Sequence, residues 1–142
     1  MSVVYFLVQQ TMFFSIPLLI VALGGMFSER SGVINIALEG IMIFGAFTGI
    51  LFINMFQDTI SGQPILLLAV LVSSFTGVVV SLLHGYASIN MKANQIISGT
   101  AINMLAPAFA IYVARIIRGV QQIPFKNQFR IDNAPVLGNI PF

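Results

Sequence analysis

The chain alternates between long apolar stretches and short polar breaks. Four apolar stretches occupy residues 3–27, 33–56, 65–85 and 96–113. A bilayer core about 30 Å thick needs about 20 apolar residues in a helix, and each stretch approaches or exceeds that length. The pattern therefore predicts an all-α fold, a polytopic membrane helix bundle with about four transmembrane helices.

The polar breaks between these stretches are of turn length. They occupy residues 28–32, 57–63 and 86–94, and connections this short join neighbouring helices that pack antiparallel. After residue 115 prolines and charged residues are scattered among the apolar ones. Residues 1–115 are therefore predicted to form the transmembrane region, and residues 116–142 an extramembrane segment.

The composition argues against a soluble globular domain. Hydrophobic residues make up 58% of the chain, charged residues make up 7%, and the mean hydropathy is +0.99. A soluble domain carries about 25% charged residues. No Lys or Arg occurs in residues 1–10. Because a secretory signal begins with basic residues, the first stretch is predicted to be a retained helix.

Enzymatic and metal chemistry find little support in the sequence. There is no glycine-rich phosphate loop, no pair of carboxylates at catalytic spacing, and no nucleophile beside a base. Cysteine is absent and His84 is the one histidine, so no metal site is predicted. We expect neither an enzyme nor a cofactor bound by this chain.

Small residues recur at every fourth position within two of the stretches. This spacing places them on one helical face, where they allow two helix backbones to approach closely in lipid. We interpret them as helix-packing positions rather than ligand contacts: Gly45, Gly49, Ser73, Gly77, Ser81 and Gly85.

Prolines and glycines mark candidate helix breaks. Pro17 and Pro107 lack the amide hydrogen that would bond to the carbonyl four residues earlier. Gly32 and Gly40 flank the polar start of the second stretch, and each weakens a helix by about 1 kcal/mol relative to alanine. The second helix is therefore predicted to be broken or bent, as helices at transport sites often are.

Polar side chains in the second and fourth stretches are the candidates for a substrate path. Asn35 and Glu39 lie four residues apart and share a helical face, as do Gln95 and Asn103 eight residues apart. Ser98 belongs to the same polar start of the fourth stretch. A purely structural alternative stays open, since hydrogen bonds between helices use the same residue types.

Glu39 carries the sharpest of these expectations. An unpartnered carboxylate in hydrocarbon costs about 2.5 to 3.5 kcal/mol. We therefore expect Glu39 to lie inside the bundle near a break in the second helix. Its carboxylate should be hydrogen-bonded by backbone or polar side-chain donors.

Two sequence runs carry a resemblance to a known family. They are FSERSGVINIALEGIMIFGAF at residues 27–47 and KANQIISGTAIN at residues 92–103. Both resemble permeases of bacterial nucleoside and simple-sugar importers, within the superfamily of branched-chain amino acid and ribose permeases. Family members are longer, so the resemblance implies that the chain corresponds to their N-terminal half, without the segment that is expected to couple to the ATPase.

The resemblance implies a permease subunit of an ATP-binding cassette importer that forms part of the translocation path for nucleosides or simple sugars. ATP would be used by partner chains. The implied partners are a second permease subunit, ATPase subunits, an extracytoplasmic substrate-binding lipoprotein and the lipid bilayer, with no nucleic acid polymer. The implied location is the bacterial cell membrane, as a multi-pass protein.

Two other functions stay open on the residues alone: an ion or proton channel using Glu39, and a non-transporting membrane assembly protein. Orientation rests on two opposed indications. The basic residues after the fourth stretch would be cytoplasmic by the positive-inside rule. The resemblance implies instead that residues 116–142 are extracytoplasmic, and we adopt that placement.

Overall fold

The computed structural model describes residues 2–32, 34–60 and 62–123, and those ranges contain four helices: α1 Ser2–Arg30, α2 Leu38–Phe56, α3 Gln63–Ile89 and α4 Gln95–Arg118. All regular secondary structure in the described ranges is helical, and each helix is long and apolar enough to cross a membrane. The predicted all-α bundle with four spans is confirmed. Most of the predicted extramembrane segment, residues 124–142, lies outside the described residues.

The second helix begins later than the apolar pattern alone suggests. Residues 34–37, which we call the α2 break, are not helical, and α2 starts at Leu38. Gly32, just before this segment, has a φ of +86°. That backbone conformation is open to glycine but strained for most other residues. The disruption predicted for the second stretch therefore lies at its start, and α2 continues without interruption to Phe56.

The breaks expected at Pro17 and Pro107 are not found. α1 runs through Pro17 and α4 runs through Pro107 as continuous helices. A proline is tolerated in a membrane helix when neighbouring groups satisfy the carbonyl that it leaves free. Gly40 likewise lies within the first turn of α2 and does not interrupt it.

Small residues set the distance between α2 and α3, the two helices in most extensive contact. A Cβ added to Gly45 would lie 3.1 Å from Ser73 Oγ, and one added to Gly49 would lie 3.3 Å from Ser73 Cβ. The hydroxyl oxygens of Thr48 and Thr76 are 3.1 Å apart, at hydrogen-bonding distance across the same interface. The small residues Gly45, Gly49 and Ser73 therefore meet at the point where α2 and α3 cross.

The remaining small residues of α3 are less closely packed. The Cβ position of Gly77 lies 3.6 Å from Ile41 Cγ2, an ordinary contact. Ser81 is exposed, and within the described residues no atom of another helix lies within 4 Å of the Cβ position of Gly85. The reason is geometric. Ile41 is in the first turn of α2, so the turns of α3 that follow Gly77 pass beyond the N-terminal end of α2.

α4 packs on another side of α2 through aromatic rings. The Phe109 ring centroid is 5.5 Å from that of Phe44 and 6.3 Å from that of Phe47. At the C-terminal end of α2, Arg118 of α4 donates a hydrogen bond to the Oδ1 atom of Asn54, which is only 6% exposed. Aromatic contacts and a polar bond thus hold the second half of α4 against α2.

α1 stands apart from this three-helix core. Among the described helices it contacts α2 alone, and none of its residues from 3 to 30 is buried. Phe14, for example, is 72% exposed. Such a surface suits lipid or further membrane helices, because neither requires hydrogen bonds from it.

Replacing Gly45 by leucine should force α2 away from α3. Overpacking of this kind costs about 1–3 kcal/mol, so the Gly45→Leu variant should lose helical signal at a lower temperature than the parent in detergent micelles. Gly85→Leu is the matched control, since it makes the same exchange on α3 where a Cβ meets no neighbour. Equal melting temperatures for the two variants would contradict the crossing point at Ser73.

Candidate functional site

The polar residues of the second and fourth stretches meet where the chain enters α2. The α2 break lies against the N-terminal half of α4, which contributes Gln95 and Asn103. Its backbone leaves helical conformation, so its amide and carbonyl groups need partners from elsewhere. The side chains of α4 provide several of them.

Asn103 bonds both to the α2 break and to the first turn of α2. Its Oδ1 accepts a hydrogen bond from the Gly40 amide at 2.7 Å, and its Nδ2 donates one to the Ile36 carbonyl at 2.8 Å. The N-cap residue of α2, Ala37, has no side-chain acceptor for the free amides of the first turn. Ser, Thr, Asp or Asn usually fills that role. Asn103 therefore supplies the capping bond from another helix.

Two further amide side chains define the conformation of the break. The Oε1 atom of Gln95 accepts from the Ile34 amide at 2.9 Å. The Oδ1 atom of Asn35 accepts from the Ala37 amide two residues later at 3.1 Å, as in an Asx turn. Each bond takes up a backbone donor that helix formation would otherwise satisfy. These bonds therefore fix the backbone conformation of the break.

Two glycines allow α4 to approach this closely. A Cβ on Gly99 would lie 3.0 Å from the Ala37 nitrogen and 3.0 Å from Ile36 Cβ. A Cβ on Gly40 would lie 2.8 Å from the Ile102 carbonyl oxygen. Real Cβ atoms essentially never lie 2.8 Å from a backbone oxygen, so Gly40 needs to be glycine for the observed packing. A Cβ on Gly99 would require the break to move away by a few tenths of an ångström.

Ser98 faces α3 rather than the break. Its Oγ lies 3.1 Å from Nδ1 of His84, a residue of α3 that is 2% exposed. Ser98 also stands in the first turn of α4, next to Gly99 and three residues after Gln95. Of the five substrate-path candidates, Asn35, Gln95 and Asn103 come together at the break, while Ser98 joins α4 to α3.

Glu39 departs from its expected surroundings. It stands in the first turn of α2 beside the break, but its side chain is exposed, and its carboxylate makes no hydrogen bond among the described residues. The expectation of a hydrogen-bonded carboxylate inside the bundle is wrong for this part of the chain. Successive helical residues are about 100° apart. Gly40 faces α4, so Glu39 turns to an open side, as Met42 does.

The start of α2 lies short of the C-terminal end of α1. Gly25 of α1 stands beside Leu38, the first residue of α2. α1 then continues to Arg30, which adds about 7.5 Å at about 1.5 Å per residue. The exposed carboxylate of Glu39 is therefore set back from the charged end of α1, beside the non-helical backbone.

Sequence reasoning overlooked one contributor to this site, His84, and placed Gly99 on the polar face of α4 without assigning it a packing role. His84 was considered only as a metal ligand, although a lone histidine in an apolar helix already indicated a buried polar contact. Gly99 shares a face with Gln95 and Asn103, and that spacing could have identified it as the position where α4 touches another backbone. Among the described residues, no three acidic or histidine side chains cluster as metal ligands would.

Comparisons with known proteins agree on one family. The model of the branched-chain amino acid transport system / permease component family matches residues 7–139. The guanosine ABC transporter permease protein NupQ of Bacillus subtilis is 43% identical over 95% of this chain, and the nucleoside ABC transporter permease protein NupC of Lactococcus lactis is 36% identical over 95%. A putative glucose ABC transporter permease of Haloferax volcanii is 30% identical over 76%.

The aligned region covers 42% of each of the two nucleoside relatives and 32% of the Haloferax protein, so the chain spans less than half of their length. No solved structure matches the chain. Together with four apolar helices of spanning length, these matches indicate a multi-pass protein of the cell membrane.

Replacing Asn103 by leucine should loosen the α2 break. The change leaves the amide of the buried Gly40 without its partner, at about 1–3 kcal/mol, and also removes the bond to the more exposed Ile36 carbonyl. Hydrogen exchange at the Gly40 amide should accelerate about 5- to 150-fold, the range that corresponds to that free energy. Mass spectrometry of peptides covering residues 34–40 measures this.

The matched control is Asn90→Leu, which removes an exposed amide side chain after α3 that makes no hydrogen bond among the described residues. It should leave exchange in the break unchanged. Parent-like protection of Gly40 in the Asn103→Leu variant would show that Asn103 does not cap α2.

Proposed function

This chain belongs to the branched-chain amino acid transport system / permease component family, and we propose that it is part of a permease subunit of an ATP-binding cassette importer for nucleosides. The observation that carries the substrate class is the pair of relatives named for guanosine and nucleoside transport, each aligned over 95% of this chain. Their shared region includes the α2 break and the α4 residues that hold it.

We propose that Glu39 and the α2 break form this chain's contribution to the wall of the translocation path. The supporting observation is an exposed carboxylate beside a non-helical backbone segment, at a level short of the C-terminal end of α1. An unpaired carboxylate facing lipid would cost about 2.5 to 3.5 kcal/mol or more. Water or a polar substrate avoids that cost, and a nucleoside offers hydroxyl and base N–H donors to a carboxylate.

The α4 amides have a supporting role in this proposal. Gln95 and Asn103 use their acceptors on the backbone of the break, so they shape the path more than they contact substrate. Bonding of the break to fixed side chains preorganises its surface, which lowers the entropy lost when a ligand binds. The groups proposed to contact the substrate are Glu39 and the exposed groups of the break.

ATP hydrolysis and substrate delivery are proposed for other subunits of the transporter. The sequence contains no nucleotide-binding loop, so ATP hydrolysis is proposed for separate ATPase subunits. A second permease subunit and an extracytoplasmic substrate-binding lipoprotein complete the proposed assembly. The extracytoplasmic placement of residues 116–142 belongs to the same proposal.

Simple sugars are the second candidate substrate class. The putative glucose permease of Haloferax volcanii supports this alternative, with 30% identity over 76% of the chain. Nucleosides also contain a sugar, so both classes present vicinal hydroxyls to a carboxylate. The nucleobase distinguishes them.

Uptake by the assembled transporter tests the substrate class. Cells producing the complete system should accumulate labelled guanosine, and unlabelled adenosine or cytidine should compete while ribose and glucose should not. Accumulation of ribose or glucose with no effect of nucleosides would favour the sugar alternative. A transporter lacking its ATPase subunit is the control for ATP-driven uptake, and undiminished accumulation in that control would contradict the importer assignment.

Two substitutions at Glu39 test its place in the path. Because the carboxylate makes no hydrogen bond among the described residues, both Glu39→Gln and Glu39→Leu should assemble at parent levels. Uptake should fall in both, because loss of a charged hydrogen bond worth about 1.5–3 kcal/mol corresponds to about a 10- to 150-fold decrease. The decrease should be larger for leucine, which keeps no polar group. The measurement is initial uptake rate per transporter in the membrane. Loss of assembly in Glu39→Leu alone would indicate a structural role instead.

A further inference from the structure

His84 is a buried polar residue that the proposed path does not use. It lies on α3, is 2% exposed, and its Nδ1 lies 3.1 Å from Ser98 Oγ on α4. Its Nε2 is buried and has no hydrogen-bond partner among the described residues. A buried polar atom without a partner is costly. The Nδ1 contact is therefore the one polar interaction of the ring with the residues that the structure describes.

The bonded serine belongs to the turn of α4 that holds the α2 break. Three residues before Ser98 is Gln95, whose side chain accepts from the Ile34 amide. The next residue is Gly99, whose missing Cβ leaves room for Ile36 and Ala37. Any shift of this turn along or around the α4 axis would move both contacts together, because one rigid helical turn carries them.

α3 and α4 have little else that fixes this turn. They contact each other far less than either contacts α2, and His84 to Ser98 is the one hydrogen bond between their side chains among the described residues. On the α3 side, the Ser88 hydroxyl donates to the His84 carbonyl at 2.8 Å. His84 therefore connects α3 to the turn that determines where the break lies.

We propose that His84 is a positioning residue for the translocation path, holding the first turn of α4 through Nδ1 and Ser98 so that Gln95 and Gly99 fix the α2 break. The link to transport rests on the function proposed above. The positioning of the break does not, because it can be measured without any substrate.

The two ring nitrogens make the proposal specific. The amide of asparagine places a polar atom near the position of Nδ1, whereas the longer glutamine places one near the position of Nε2. Only Nδ1 has a partner within the part of the chain that the structure describes. His84→Asn should thus preserve the contact with Ser98, while His84→Gln and His84→Phe should lose it despite filling more of the buried space.

Hydrogen exchange in the assembled transporter tests the positioning role. The Ile34 and Gly40 amides should exchange about fivefold faster or more in His84→Phe and His84→Gln, the change expected for loss of a typical hydrogen bond. His84→Asn should exchange as the parent does. Ser98→Ala should match His84→Phe, and the double variant should be no faster than either single one, because all three remove the same contact.

Thr100→Ala is the matched control for Ser98→Ala, since the Thr100 hydroxyl donates to a carbonyl of its own helix. It should leave exchange unchanged. Parent-like exchange in His84→Phe, slow exchange in His84→Gln, or additive effects in the double variant would each overturn the proposal. Guanosine uptake measured on the same variants should fall in the same order. Fast exchange with unchanged uptake would overturn the transport link alone.

Discussion

The hydrogen bonds of the Asn103 side chain are the interaction on which this arrangement depends. In a membrane, backbone groups that leave helical conformation need partners from the protein itself or from a wet cavity. α2 begins at Leu38 with an alanine at its N-cap, which cannot supply one. Asn103 accepts from the first turn of α2 and donates to the break, so the start of α2 depends on α4.

Close packing follows from the same requirement. A short amide side chain can bridge two backbones only when the helices nearly touch, and Gly40 and Gly99 leave the room for that. At the contact between α2 and α3, Gly45 and Gly49 allow α2 to pack closely against Ser73. α2 is thus held by two kinds of close approach, one that satisfies polar backbone and one that gains dispersion contacts. α1 takes part in neither and keeps its apolar surface exposed.

The same geometry explains why the polar residues of one sequence motif have different surroundings. The Asn35 side chain accepts a hydrogen bond from the Ala37 amide within the break, whereas Glu39 lies in α2 and faces an open side. With the Gly40 amide already bonded to Asn103, the carboxylate has no part in capping its own helix. A charged group left exposed beside a fixed break is what gives the site its proposed role in transport.

The sequence by itself determined the class and the spans, because hydrophobicity acts locally: a stretch of apolar residues long enough for the bilayer core must cross it as a helix. It also identified Gln95 and Asn103 as one polar face. Which backbone that face bonds to, where Glu39 points and how far α3 passes beyond α2 were decided by tertiary structure. Each of these depends on the register of two helices, and residues distant in sequence set that register through contacts of a few ångströms.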